Sequence, residues 1–161
     1  MSPRSVERAP LRPSVLDRLL CEATAPSPAL RSTGVAELRR AVARDLEWLL
    51  NTRTSEREAW RALPEASTSV LAYGAPDLSW VSWASDDDRN ALAQRLEQAI
   101  RRFEPRLGRV RVELLRVPEP GELRLRYRIF AVLQVAPIRE PVVYDTDLDV
   151  QRGSLRVREA G

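Results

Sequence analysis

The chain has 161 residues, of which 43% are hydrophobic, and a formal net charge of +3, which is typical of one globular domain with a core of ordinary size. It contains no histidine and only one cysteine, Cys21, which excludes His-based nucleophile pairs, histidine metal ligands, an internal disulfide and a thiolate cluster. Most familiar hydrolase chemistry is therefore excluded, and we expect no bound metal and no cofactor.

The N-terminal part predicts a flexible arm followed by one domain. Residues 1–13 carry three prolines and several charges without a period, which favours an arm. Ser14–Leu20 has apolar residues at the spacing of one helical face and predicts a short docking helix. Residues 23–33 contain prolines that bias their neighbours away from helix and predict an extended linker. The single expected domain covers residues 14–161.

A first long helix is predicted to begin near Val35, with Ser32 or Thr33 as its N-cap. It is expected to end near Asn51, a residue that tolerates a left-handed C-terminal conformation. Its apolar stripe has helical spacing and consists of Val35, Leu38, Val42, Leu46 and Leu49. The irregular residues that follow, 52–84, predict mainly loop.

A second long helix is predicted over Asp86–Phe103. Ser85 and Asp88 form a start that resembles a capping box, and the apolar residues then continue on one helical face. Pro105 lacks a backbone N–H and restricts the residue before it. The helix is therefore expected to end at this proline.

Beyond the second helix the apolar period changes to two, which predicts β-strands. The predicted strands are, in chain order, RVRVEL (109–114), LRLRYRIFAVLQV (123–135), VVYDTDL (142–148) and SLRVR (154–158). The outward face of the second strand ends with Phe130 and Val132, so this end is expected to be covered on both sides. The pattern predicts an α+β fold, with N-terminal helices packed on a mostly antiparallel C-terminal sheet of about four strands.

The basic residues are all arginine, because the 26 Lys+Arg positions include no lysine. Arginine favours paired, planar contacts with carboxylates, so arginine patches are candidate protein interfaces. The 23 acidic residues leave a small positive excess, which does not indicate nucleic-acid binding. No window has the length of a signal-peptide core or a membrane span. We expect a cytoplasmic protein that does not insert into a membrane.

Four motifs of the chain follow one another in the order that is typical of a known family. They are LLNTR (49–53), SVLAYGAPDL (69–78), FEPRL (103–107) and PVVYDTDLD (141–149). The chain resembles TssE, the small baseplate subunit of bacterial type VI secretion systems, which is similar to a wedge subunit of contractile phage tails long labelled lysozyme-like. The resemblance covers approximately residue 14 to the C-terminus. Ala72 and Ala75 depart from it, because the family usually has Asn and a larger apolar residue there.

The resemblance implies a structural subunit without catalytic residues. TssE joins the wedge subunits TssF and TssG at the baseplate, on the inner face of the cell envelope, and the contractile sheath of TssB and TssC polymerises from it. The Glu-Pro-Arg motif of the family, here Glu104, Pro105 and Arg106, is associated with holding the helical bundle of the wedge partners. The residues of the second motif are expected to have a structural role. These residues are Ser69, Tyr73, Gly74, Pro76 and Asp77.

The family's sheet resembles the strand-exchange domain of the sheath protein, so one sheet edge is expected to accept a sheath strand. The candidate edges are PVVYDTDL (141–148) and GSLRVR (153–158). In the second candidate, the expected sheath-contacting residues are Leu155, Arg156, Val157 and Arg158. The arginines would face away from the core and discourage self-pairing.

Three alternative interpretations remain open for Glu104, Arg106 and the arginines of the second strand. Glu104 could act in a muramidase-like glycoside hydrolase, but Asp86–Asp88 lie about 25 Å away along the helix, so Asp145 or Asp147 would have to supply the second carboxylate. Glu104 and Arg106 could form only a local salt bridge. Arg124, Arg126 and Arg128 of the second strand could bind nucleic acid. The residues that interleave with them, however, point to the other face, away from a position for base stacking.

Overall fold

The computed structural model describes residues 34–54, 63, 65–66, 69–75, 77–78, 81–82, 85–116 and 124–160. The predicted arm, docking helix and linker, and Cys21, lie outside these residues. The regular elements are helices α1 (Val35–Asn51) and α2 (Asp86–Phe103), a 3-10 turn (Val70–Ala72), and strands β1 (Leu107–Arg116), β2 (Arg124–Val135), β3 (Ile138–Asp149) and β4 (Ser154–Glu159). Both helices and the C-terminal strands confirm the predicted α+β fold.

Helix α1 has the predicted bounds and buries the predicted apolar stripe except Val35, which is half-buried, but both of its caps differ from the prediction. Gly34, not Ser32 or Thr33, is the N-cap, and its N–H donates to the Glu37 carboxylate at 3.2 Å, which satisfies a backbone donor without a capping side chain. Asn51 stays helical, and the chain leaves the helix through an extended Thr52. The left-handed end is therefore wrong, because the Asn51 side chain is used in a contact with β4.

Helix α2 has the predicted bounds and cap. The Ser85 hydroxyl accepts a hydrogen bond from the Asp88 N–H at 3.2 Å. At the other end, Glu104 is the C-cap and donates its N–H to the carbonyl of Ile100 at 2.9 Å. Pro105 follows directly and cannot continue the helix.

The four strands form one antiparallel sheet in the order β1-β2-β3-β4. β2 and β3 pair along their whole length, from Arg124 opposite Asp149 to Val135 opposite Ile138. β3 is therefore longer than the predicted VVYDTDL, because its pairing with β2 continues up to the turn at 136–137. It is also internal, so PVVYDTDL is wrong as a candidate edge.

Both helices lie on one face of the sheet, with α1 packed against β4 and α2 against β1. Tyr127 and Tyr144, from the two central strands, are fully buried between the layers. The opposite face carries Arg124, Arg126 and Arg128, and Phe130 is 37% exposed there. The expectation that this end of β2 is covered on both sides is therefore wrong for the described residues. None of the helices in these residues is long and apolar enough to cross a membrane.

Candidate functional site

The corner between α2 and β1 is built by three consecutive residues with different roles. Glu104 ends the helix, Pro105 is exposed at the turn, and the carbonyl of Arg106 accepts a hydrogen bond from the Gln134 N–H of β2 at 2.8 Å. Since this bond extends the sheet ladder to Arg106, the corner is held on both sides by regular structure. Glu104 is only 5% exposed, so its charge needs a partner within the fold.

That partner is Arg106, and the pair includes a third residue from α1. Arg106 Nε donates to Glu104 Oε1 at 2.7 Å, Nη2 donates to Glu104 Oε2, and Nη2 also donates to Asp45 Oδ2 at 2.7 Å. Hydrogen bonding to Glu104 raises the pKa of Arg106 above its ordinary value, against the effect of burial. We call Glu104, Arg106 and Asp45 the corner network. It fastens the end of α2 and the start of β1 to α1.

The corner network continues to the surface through α1. The Arg44 guanidinium donates to Asp45 Oδ1 from Nε at 3.0 Å and from Nη2 at 2.8 Å. The same guanidinium lies over the ring of Trp48, with 4.8 Å between its carbon and the ring centroid. Trp48 is 45% exposed. A large aromatic side chain is therefore presented to solvent beside the charged corner.

The second sequence motif packs against the corner network. The Tyr73 ring meets the Phe103 ring edge-on, with centroids 5.4 Å apart. Burial, and then the nearby carboxylates of Asp45 and Glu104, raise the pKa of Tyr73. This predicted structural residue therefore lies close enough to the corner for both carboxylates to act on its hydroxyl.

Gly74 is required by the way in which the second motif meets the end of α1. Its φ is +131°, and a Cβ there would lie 2.4 Å from the carbonyl oxygen of Thr52. The next residue, Ala75, donates its N–H to that same carbonyl at 2.8 Å. A larger residue is excluded by the backbone itself. Of the other two motif residues, Asp77 is exposed and Pro76 lies outside the described residues.

Ser69 caps the 3-10 turn that precedes Tyr73, and its hydroxyl accepts the Leu71 N–H at 3.2 Å. The turn leaves Val70 83% exposed and Leu71 55% exposed. The Tyr73 N–H bonds back to the Val70 carbonyl at 3.2 Å, so the turn that carries both apolar side chains leads directly into Tyr73. We call Trp48, Val70, Leu71 and Arg106 the corner surface.

The structure thus realises the local salt bridge that was an open alternative for Glu104 and Arg106. The Glu104 side chain is only 6% exposed, whereas that of Arg106 is 23% exposed. Glu104 does not reach outward from the corner, as a direct partner contact would require. Its carboxylate instead binds the guanidinium of Arg106, which lies nearer the surface.

The predicted edge strand β4 lies at one edge of the sheet, with Leu155 and Val157 buried and Arg156 and Arg158 exposed, as expected. Three of its outer backbone groups are, however, already bound. The Asn51 side chain accepts the Leu155 N–H at 2.8 Å and donates to the Leu155 carbonyl at 2.7 Å. The expectation of an unpaired edge is therefore wrong, because an amide of α1 takes the place of a neighbouring strand.

A second side chain of α1 completes this arrangement, and α2 repeats it at the other edge. Glu47 accepts the Val157 N–H at 2.9 Å. On β1, Glu97 of α2 accepts the Val112 N–H at 3.1 Å, and Arg101 donates to the Val110 carbonyl at 2.8 Å. Sequence reasoning missed these residues. The only signal was polar residues four positions apart on each helix, on a line next to the apolar stripe.

Glu104 and its two candidate glycosidase partners, Asp145 and Asp147, are each bound by a different arginine. Both oxygens of Glu104 accept hydrogen bonds from Arg106, and Asp145 is bound by Arg128 at 2.6 and 2.9 Å. Asp147 forms an ion pair with Arg126 at 3.2 Å. In the part of the chain that the structure describes, no group of three or more potential metal ligands occurs.

Comparison with known proteins identifies the family. The family model described as baseplate wedge protein gp25 matches residues 36–137. This range includes α1, the second motif, α2, the corner network and the first two strands, and the match is consistent with the resemblance to TssE. No curated protein and no solved structure matches the chain. The chain therefore belongs to the family of the baseplate wedge protein gp25, the structural wedge components of contractile-tail baseplates.

Proposed function

We propose that the chain is a structural baseplate subunit of a type VI secretion system that joins TssF and TssG and starts the sheath of TssB and TssC. It acts without catalysis, in the cytoplasm, on the baseplate at the inner face of the cell envelope. The family match supports the structural role. The single observation that carries the partner assignment is the convergence of three sequence motifs on one corner, around the ion pair of Glu104 and Arg106.

The corner surface has the composition of a protein interface. Trp48 and Arg106 belong to the residue types that dominate binding energy at interfaces. Val70 and Leu71 add two neighbouring exposed apolar side chains, and contiguous exposed apolar area is typical of interaction sites. The corner network holds Arg106 in one orientation, so little side-chain entropy remains to be lost on binding. In this proposal Glu104 and Pro105 position the contact, and Arg106 makes it.

The sheath is proposed to join at the outer edge of β4. There, the backbone of a sheath strand would replace the side chains of Asn51 and Glu47 as the hydrogen-bond partner of β4. Such an exchange replaces hydrogen bonds by hydrogen bonds, and each bond contributes only about 1 kcal/mol net. The edge can therefore be closed in the free subunit and still accept a strand from the correct partner.

Co-expression tests this proposal. A tagged copy of the chain is co-expressed with untagged TssF and TssG from the same system and purified through its tag. A tagged unrelated protein serves as the background control. Co-purification of both wedge subunits in a defined ratio is expected. The muramidase alternative is tested with the same preparation in a peptidoglycan turbidity assay. Lysis that disappears in Glu104→Gln would overturn the non-enzymatic role.

A further inference from the structure

The face of the sheet that points away from the helices carries ordered rows of opposite charge. Arg126 of β2 lies opposite Asp147 of β3, which lies opposite Arg156 of β4. In the next row, Arg128 lies opposite Asp145, which lies opposite Arg158. A central line of aspartates is therefore flanked by a line of arginines on either side.

The aspartates are bound on one side only. Arg128 holds Asp145 with two hydrogen bonds, at 2.6 and 2.9 Å, and this contact lowers the pKa of the Asp145 carboxyl. Arg126 pairs with Asp147 at 3.2 Å. Arg156 and Arg158 form no ion pair with any of the described residues. The β4 side of each row therefore carries an uncompensated positive charge.

The first row and Arg158 of the second row line an open groove with a volume of about 300 Å³. Its lining includes five arginines and two aspartates, a formal excess of three positive charges. The whole chain has a formal net charge of +3. An excess as large as that of the entire chain is thus concentrated on one groove, which we call the arginine groove.

We propose that the arginine groove binds an extended acidic segment of a partner protein. Guanidinium groups bind carboxylates through two parallel hydrogen bonds, which favours carboxylates over most other anions of a protein surface. Arg156 and Arg158 are two residues apart on one face of a strand, about 7 Å along it. An extended segment with a carboxylate at every second residue has the same spacing.

The width of the groove also fits a single chain. The line of arginines on β2 and the line of arginines on β4 are separated by β3. The backbones of β2 and β4 are therefore about 10 Å apart. One extended segment can lie above the aspartates of β3 and reach arginines on both sides. Arg152, in the turn between β3 and β4, adds a positive charge at the end of the groove.

Nucleic acid fits this groove less well. Base binding on a sheet uses exposed aromatic side chains, and none of the residues that line the groove is aromatic. Asp147 and Asp149 also line it, and they would repel a continuous phosphate backbone. A protein segment can place neutral residues over these aspartates, whereas a nucleic acid carries a phosphate on every nucleotide.

The arginine groove lies on the outer face of the sheet, and peptide binding there is independent of the proposed wedge and sheath roles. The test uses the purified full chain and a fluorescent peptide of five Glu-Thr repeats. Fluorescence anisotropy at low salt compares the native chain with Arg156→Gln/Arg158→Gln. The control, Arg40→Gln/Arg102→Gln, removes the same charge from exposed positions on the two helices. A peptide of five Gln-Thr repeats and a short labelled DNA duplex serve as further probes.

Binding of the Glu-Thr peptide is expected to weaken about tenfold in Arg156→Gln/Arg158→Gln, since two charge-assisted contacts are lost. The helix control should change it less than twofold, and the Gln-Thr peptide should not bind. Equal losses in both double variants would overturn the proposal, because binding would then follow net charge alone. It would also be overturned by a failure of the Glu-Thr peptide to bind, or by DNA that binds more tightly and competes with the peptide.

Discussion

Glu47 of α1 accepts a hydrogen bond from the backbone N–H of Val157 on the edge strand β4, at 2.9 Å. The equivalent contact at the opposite edge joins Glu97 of α2 to the N–H of Val112, at 3.1 Å. Unpaired strand edges promote association with other chains. Each helix therefore has two functions in the free subunit, since it covers the core with one face and occupies a sheet edge with the side chains next to it.

The two edge contacts predict reciprocal effects on amide exchange. Glu47→Ala should speed hydrogen exchange of the Val157 amide about fivefold, because a net contribution of about 1 kcal/mol is removed. Glu97→Ala should speed exchange of the Val112 amide by a similar factor. Residue-resolved hydrogen–deuterium exchange by NMR measures both amides in both variants.

Each variant serves as the control for the other. The Val112 amide should keep its rate in Glu47→Ala, and the Val157 amide should keep its rate in Glu97→Ala. Unchanged exchange at Val157 in Glu47→Ala would mean that this carboxylate does not hold the edge in solution. A change at both amides in either variant would indicate general destabilisation instead.

The corner network predicts an order of stability losses. Arg106→Ala should lower the free energy of unfolding by about 2 to 4 kcal/mol, because it leaves the buried Glu104 carboxylate without its partner and beside Asp45. Asp45→Ala should cost only about 1 kcal/mol, because Arg106 then keeps both hydrogen bonds to Glu104. Urea denaturation of the purified variants gives both values.

A double-mutant cycle identifies the coupled pair. Glu104→Ala combined with Arg106→Ala should cost clearly less than the sum of the two single changes, since the second change removes a charge that the first left unpaired. Additive losses would contradict the coupling of these two residues. A loss in Asp45→Ala as large as that in Arg106→Ala would place the main interaction on α1.

Gly74 and Gly34 form a matched pair for testing the second motif. Gly74→Ala should lower the free energy of unfolding by at least about 2 kcal/mol, because the new Cβ meets the Thr52 carbonyl and φ is positive. Gly34→Ala should cost less than about 1 kcal/mol, because a Cβ there meets nothing within 4 Å. Thermal and urea unfolding of both variants compare the costs. Similar small losses would show that the motif does not dock on α1 as described.

The absence of lysine makes the alkaline stability of the chain a test of its buried tyrosines. Burial raises the pKa of Tyr127 from 10.0 to about 12, so the folded state favours the neutral phenol. The resulting stability is fully present below pH 10 and is lost as the pH rises towards 12. Tyr127→Phe should reduce this loss by up to about 1.4 kcal/mol per pH unit. Urea unfolding between pH 8 and 11 measures the slope, and an unchanged slope in Tyr127→Phe would contradict the buried phenol.

The regular elements were predictable because each carries a local signal. The apolar period changes once, at the corner, and Ser85 and Pro105 mark the two ends of α2 through their own side-chain chemistry. The ends of α1 were not predictable in this way. Gly34 has no capping side chain, and Asn51 is used by β4 rather than by its own helix.

The candidate site was predictable only in part, because its key contacts join distant positions. Arg106 and Asp45 are 61 residues apart, and Asn51 and Leu155 are 104 apart. These pairs depend on the order of the strands and on the rotation of α1 against β4, which no local pattern encodes. The motif resemblance located Glu104 and Arg106, but not the burial of Glu104.

The central claim is that the corner surface binds the wedge subunits. The most direct measurement is co-purification of TssF and TssG with tagged Val70→Ser/Leu71→Ser, which changes two side chains that are 83% and 55% exposed. The control is Leu115→Ser/Phe130→Ser, which changes exposed apolar residues of β1 and β2. We expect both variants to unfold at the same denaturant concentration as the native chain. The control variant should retain both wedge subunits, and the corner variant should lose them. Full retention of TssF and TssG by a folded Val70→Ser/Leu71→Ser chain would contradict the claim.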